Sequence, residues 1–216
     1  PSGVTVRDVV YAGESGQGSV VTSASAILGV GADTALLLTS GDGTPPTANT
    51  EDGYTLGLST PGDADLDAAV GLAFPGAGGT SDANTLAFTL DVDDPSVGGI
   101  SFDVVFASDE YPEFADSSYV DIGLVSVNGQ NIALFGGDPA NPLSILQTNI
   151  DAGYYIDNSA SVLPIEYDGV SSRLQVTAPL EQGANTIKLG VADTGDTQYD
   201  SALFVANVQL LADDGG

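Results

Sequence analysis

The chain predicts an all-β fold: an antiparallel β-sandwich of jelly-roll type with at most one or two short helices. Three observations carry that prediction. Its apolar residues are mostly Val, Leu, Ile and Ala, set in short alternating runs whose period of two is that of a strand with one face buried. Twenty-eight Gly and 11 Pro punctuate those runs. No helical stripe persists beyond two turns. A length of 216 residues is enough to bury about 70% of the unfolded surface in one core. The 42% hydrophobic content excludes wholesale disorder. Neither a ~20–50-residue repeat nor an interior linker is visible, so residues 1–216 read as a single domain.

Taken in order, Val4–Tyr11 alternates weakly and reads as a first strand, followed by a glycine-rich turn at Gly13–Gly18. Val20–Val30 fits either a strand or a short helix, closed by Gly29 and Gly31. Ala35–Thr39 is a short buried run, and Thr44–Gly62 is a long polar loop. Asp63–Val70 suits two helical turns, because its early acids favour a helix N-terminus. Gly71–Ser81 is again a loop. From Leu86 the strand pattern is dense: Leu86–Leu90, Ile100–Ala107, Val120–Val127, Ile132–Phe135, Leu143–Thr148, Ser171–Thr177, Thr186–Val191 and Ala202–Leu211. Asn128-Gly129 between two of these is a hairpin signal. About nine or ten strands result.

Charge excludes several functions. Thirty acids oppose three bases, for a net charge of −27, with no base between Arg7 and Arg173. Nucleic acid is excluded as a partner, since phosphate contacts need Lys and Arg. Anionic membrane surfaces are disfavoured on the same ground. Without Cys there are no disulfides and no thiolate metal sites; without His there is no imidazole ligand and no Ser-His-Asp triad. No apolar run approaches the ~20 residues needed to span a bilayer.

Two acidic stretches stand out. Ile100–Asp121 begins as a strand, with Ile100, Phe102, Val104 and Phe106 on one face. It then gathers Asp109, Glu110, Glu113, Asp116 and Asp121 around Tyr111, Phe114 and Tyr119. Ala192–Ser201 carries Asp193, Asp196 and Asp200 between two late strands. Acids so dense repel one another unless a cation sits among them, they protonate, or they fan into water. Calcium accepts six to eight oxygens from carboxylates, carbonyls and water, which such loops supply, although the spacing is not that of an EF-hand. In a sandwich, loops at one end of the strands converge. The expected metal ligands are therefore Asp109, Glu110, Glu113, Asp121, Asp193, Asp196 and Asp200, with Asp116 solvated and Tyr111 and Tyr199 packing beneath. Asp193-Thr194-Gly195 also spells the triplet of aspartic proteases, but that chemistry needs a second copy, and none is present. Paired carboxyls suited to glycoside hydrolysis arise by chance among thirty acids and carry no weight. No catalytic constellation is recognisable.

These residues resemble the choice-of-anchor L domain, a family of bacterial surface proteins. Phe106–Phe114 (FASDEYPEF) is similar to that family's F-A-S-E-E-Y-P-E-F, with Asp109 in place of the first Glu. Val191–Phe204 resembles its I-A-D-x-G-D-x-x-Y-D-S-x-V-F. Leu36–Gly41, Pro61–Leu66, Asp82–Phe88, Asn131–Ala133, Tyr154–Asn158 and Tyr167–Gly169 also fit. Ser118-Tyr119-Val120-Asp121 departs from it, lacking the Asn of the family's F-N-D. The resemblance implies a secreted β-rich domain displayed through varied anchors, and no reaction.

The expected function is a secreted, cell-surface structural or adhesive module. Calcium is its expected cofactor, and it is expected to self-associate into a surface layer, fibre or matrix. Association would come from cation bridging, or from a terminus such as Pro1–Tyr11 adding to a neighbour's sheet edge. The alternative is a carbohydrate-binding or glycan-hydrolysing domain using the same acidic and aromatic loops, with a surface glycan as partner. The start shows no signal-peptide pattern, and only Ala212–Gly216 follows Leu211. Both fit a domain of a longer protein, a processed form, or a subunit held by other means.

Overall fold

The computed structural model describes residues 3–213, so Pro1, Ser2 and Asp214–Gly216 lie outside the described residues. Two antiparallel sheets pack face to face. The first has the order β1 (Val4–Ala12), β4 (Thr80–Val92), β11 (Gly183–Thr194), β6 (Ile122–Val127), β7 (Gln130–Asn131). In the second, β2 (Gly18–Thr22), β3 (Thr34–Thr39), β12 (Ser201–Ala212), β5 (Val97–Ser108), β9 (Gly169–Ser171) and β8 (Tyr155–Asp157) follow one another. β10 (Leu174–Pro179) pairs the remaining length of β5. Three short helices, α1 (Ala24–Leu28), α2 (Ala64–Ala73) and α3 (Gln147–Asp151), complete the described secondary structure with one 3-10 turn at Phe135–Gly137.

Alternation places Ile100, Phe102, Val104 and Phe106 of β5 against Ile187, Leu189 and Val191 of β11, in the core between the sheets. The other face of β5 is not solvated, as simple alternation suggests. Val105 and Ala107 pack with Phe204 of β12 beneath α1, Ile165 and Tyr167. Asp103 on that face is buried and is satisfied by the Gly31 amide at 2.7 Å, by Asn207 at 3.1 Å and by Arg173 at 3.3 Å. The first sheet is covered in turn by α2, whose Leu66, Ala69 and Val70 meet Ile122, Leu124 and Ala192.

α2 starts where its acids predict. The Asp63 carboxylate accepts from the Asp65 and Leu66 amides, and Lys188 of β11 pins the same carboxylate at 2.7 Å. The ambiguous Val20–Val30 segment is both things in turn: β2, then α1, ended by Gly29 with φ of 68°. Asn128 and Gly129, with φ of 51° and 78°, form the two-residue hairpin joining β6 to β7. Ile132–Phe135 and Leu143–Thr148 do not form strands: they contribute isolated bridges at Leu134 and Leu143, after which the chain turns into α3. Ser171–Thr177 divides into β9 and β10.

Candidate cation site

Antiparallel pairing brings the end of β5, the start of β6, the end of β11 and the start of β12 to one end of the sandwich. Ser108 lies opposite Ser201, and Ile122 opposite Ala192. The two acidic loops that join these ends therefore meet. The Thr194 amide donates to Asp121 Oδ1 at 2.9 Å, and the Ser201 hydroxyl to Asp121 Oδ2 at 2.6 Å. The Asp109 amide donates to the Asp200 carbonyl at 3.3 Å, and the Phe114 and Tyr199 rings stand 4.9 Å apart.

A third segment closes over them. Residues 41–60 form no strand or helix, so their backbone amides need partners from elsewhere. Carboxylates supply several of them. Glu166 accepts from the Thr50 and Glu51 amides, each at 3.0 Å, and Asp200 Oδ2 from Leu56 at 2.8 Å. Asp82 accepts from Leu58, Ser59 and Thr60. Gly41 passes so close to Asp200 that a Cβ there would stand 1.7 Å from Asp200 Oδ2.

The result is a buried group of acids without a base. Asp109, Glu110, Asp121, Asp193 and Asp200 are each at most 1% exposed. Arg7 is engaged with Asp8 and Asp91, Arg173 with Asp103, and Lys188 with Asp63 and Asp65. Asp193 accepts a hydrogen bond at neither oxygen, Asp109 none at Oδ2 and Asp200 none at Oδ1. The Ser40 hydroxyl lies beside Asp193 and partly offsets the cost of its charge, although the hydrogen bond it donates goes to the Ser201 carbonyl at 3.4 Å. Burial is the main force on their titration, because it penalises the charged form. It pushes Asp109 and Glu110 up to about 9 and Asp200 to about 6, with neighbouring acids adding to each shift. Asp121 and Asp193 rise well above the usual carboxylate range for the same reason, Asp121 further through Glu110 and Asp193 further through Asp121.

Of the expected ligands, Asp109, Glu110, Asp121, Asp193 and Asp200 gather in this interior. Asp196 sits half-buried at its rim, accepting from the Gln198 amide at 3.0 Å, and Glu113 is exposed. Asp116 is exposed, and its Oδ1 accepts from the Gln147 amide. Tyr111 packs in the core against Tyr155, and Tyr199 packs against Phe114. Asp82, Glu166 and Asp168 are absent from the expected set, yet all three are buried here. Their signal in the sequence is indirect. A long polar loop at Thr44–Gly62 must find acceptors for its amides, and Asp82 and Tyr167–Gly169 lie in family-like segments.

The donor chemistry fits a hard divalent cation: anionic oxygens, hydroxyls and carbonyls, with no nitrogen or sulfur ligand. Among the described residues, no three of the acids stand close enough together to hold a metal as they are. A bound ion would therefore combine one or two carboxylates with neutral oxygens and water, a set calcium accepts.

Comparison with known proteins gives one strong match. The sequence model of the Choice-of-anchor L domain matches residues 3–210. No curated protein shows significant similarity to the chain. Among solved structures, it is compared with "CBM35 from Cellvibrio japonicus Abf62" at 13% identity and a TM-score of 0.24, covering 83% of this chain and 99% of that one. A score so low carries no argument about fold or ligand.

Proposed function

The chain belongs to the Choice-of-anchor L domain family, whose members are surface-associated modules, and on that premise we propose a structural, adhesive module of the bacterial exterior, stabilised by calcium at its acid-rich end. One observation carries this reading: buried carboxylates with unpartnered oxygens and no base to neutralise them. Isolated buried charge is costly, and a divalent cation is the partner this composition leaves open. Asp193 with one neighbouring carboxylate would hold the ion together with neutral oxygens and water, while the Asp121 oxygens anchor the Thr194 amide and Ser201 hydroxyl. Calcium would supply compensating charge, so that the loops at 109–121 and 195–200 stay together. The role is non-enzymatic.

Self-association belongs to the same reading. β1 is an edge strand that leaves Val6, Val9, Val10 and Tyr11 exposed, which suits strand addition by a neighbouring copy. Calcium titrated calorimetrically into chelator-treated protein should bind saturably, and light scattering should then grow with calcium. A flat titration would remove the calcium reading; scattering that stays monomeric at high protein and millimolar calcium would remove the assembly.

A second reading, carbohydrate binding, is favoured by the aromatic rim beside the acids. Tyr119 is 39% exposed, and its ring meets Phe114 edge-on at 6.2 Å. Sugar rings stack on such surfaces. Glycan binding that is lost in Tyr119→Ala would favour it over a purely structural role.

A further inference from the structure

The two sides of the sandwich are finished differently. At the β7 and β8 edges the intervening chain turns inward, and its Ala133, Phe135, Leu143 and Ile145 close the core. No described segment does this on the opposite side, where β1 and β2 are the edges of the two sheets. Residues opposite one another in an antiparallel pair share a face. Val6 lies opposite Leu90, Tyr11 opposite Leu86 and Val20 opposite Leu36. Leu36, Leu86 and Leu90 all belong to the core between the sheets, so Val6, Tyr11 and Val20 point into it as well. Yet Val6 is 54% exposed and Val20 68%, and Leu36 and Leu86 are only half-buried. An open cleft of about 400 Å³ runs between the two edges, lined by Tyr11, Val20, Leu36, Leu38 and Leu86. The core is open to water along this side.

A contiguous apolar opening of this kind is a surface for another protein, and its charge selects a second copy of this chain. Gly3–Val30 carries one base, Arg7, and two acids, Asp8 and Glu14, on a chain of net −27. Two copies therefore meet here with little repulsion. The edges differ in how they are guarded. β1 carries Arg7 and Asp8 and shifts its register between Arg7 and Val10, devices that discourage pairing. β2 has no charge, no Pro and an unbroken register against β3. We propose that two copies dock edge to edge about a two-fold axis, β2 pairing antiparallel with β2 of the partner and Val20 nearest the axis, so that two open cores close into one. Val6 and Tyr11 of β1 then roof the join. This rests on the self-association reading above, names the edge and the symmetry, and needs no calcium.

The chain has no Cys, so Val20→Cys introduces a single thiol. Opposed residues of an antiparallel pair stand about 4.5–5.5 Å apart at Cα, within reach of a disulfide. Mild oxidation of the whole chain should convert Val20→Cys mostly into a covalent dimer, in chelator as in calcium. Leu72→Cys, equally exposed but on α2, should stay monomeric. In sedimentation at high protein concentration and millimolar calcium, Val20→Lys should at least halve the average mass, and Leu72→Lys should leave it at the wild-type value. Cross-linking of Val20→Cys no greater than that of Leu72→Cys overturns the β2 contact, as does a cross-link that forms only in calcium. If the wild type and Val20→Lys associate equally and no cross-link forms, docking through β2 falls and self-association stands through another surface. A wild type that stays monomeric, with no cross-link, removes both.

Discussion

Asp193 shows most clearly what its neighbourhood demands. It is fully buried at the end of β11, both oxygens lack a hydrogen bond, and Asp121 and Asp200 face it. Without a cation, Asp193 must be either charged or held protonated against the solvent pH, and both cost stability, so Asp193→Asn should raise the melting temperature in chelator near about pH 8. In calcium the same change should lower it, by about 5–11 °C if one site held at a hundredfold excess over its dissociation constant is lost. The pH dependence follows from the same residues. The folded carboxyls titrate above their unfolded values, Asp200 at about 6 and Asp109 and Glu110 at about 9, so the folded state holds more protons. Their stabilising effect is complete below about pH 4 and is lost as pH rises through those values. In chelator, thermal melts should therefore fall from about pH 5 to about pH 8. Calcium must displace those protons, so its stabilisation should grow over the same interval. A chelator profile that instead rises with pH would show that these acids are already ionised and compensated.

At the scale of elements, α2 and β9 carry the clearest tests. Asp63 both caps α2 and receives Lys188 at 2.7 Å, so Asp63→Ala should cost about 1–2 kcal/mol in a denaturant melt. Gly169 of β9 lies against Tyr111, where a Cβ would come within 2.3 Å of the Tyr111 Cβ. Gly169→Ala should cost about 1–3 kcal/mol by overpacking and should loosen Asp168 beside it. The strands with long alternating runs, β5, β11 and β12, were legible in the sequence, as was the α2 start at Asp63. β8 was not, because Tyr155–Asp157 spans three residues and pairs only with the equally short β9. Leu143–Thr148 misleads for a different reason. Leu143 and Ile145 alternate and are both buried, but Asn149 draws the Pro142 and Ser144 carbonyls to its side chain and the chain bends into α3. In the site, the dense acids at 109–121 and 193–200 were legible. Asp82 and Glu166 were not, because their function is to satisfy backbone amides of a distant loop, a relation no local spacing encodes.

For the whole molecule, the charge of −27 and the few bases set the conditions of stability and assembly. Self-repulsion should make the chain more stable as inert salt rises toward about 0.15 M, where the screening length is about 8 Å. Monovalent salt should not reproduce a calcium effect that comes from bound ions. The central claim is that buried, unpartnered carboxylates at one end of the sandwich are completed by calcium, and a pair of thermal melts at fixed ionic strength, in calcium and in chelator, tests it most directly. A calcium melt higher by about 5–11 °C per occupied site is the result expected; equal melting temperatures in the two conditions would contradict the claim and leave these acids protonated in the folded chain.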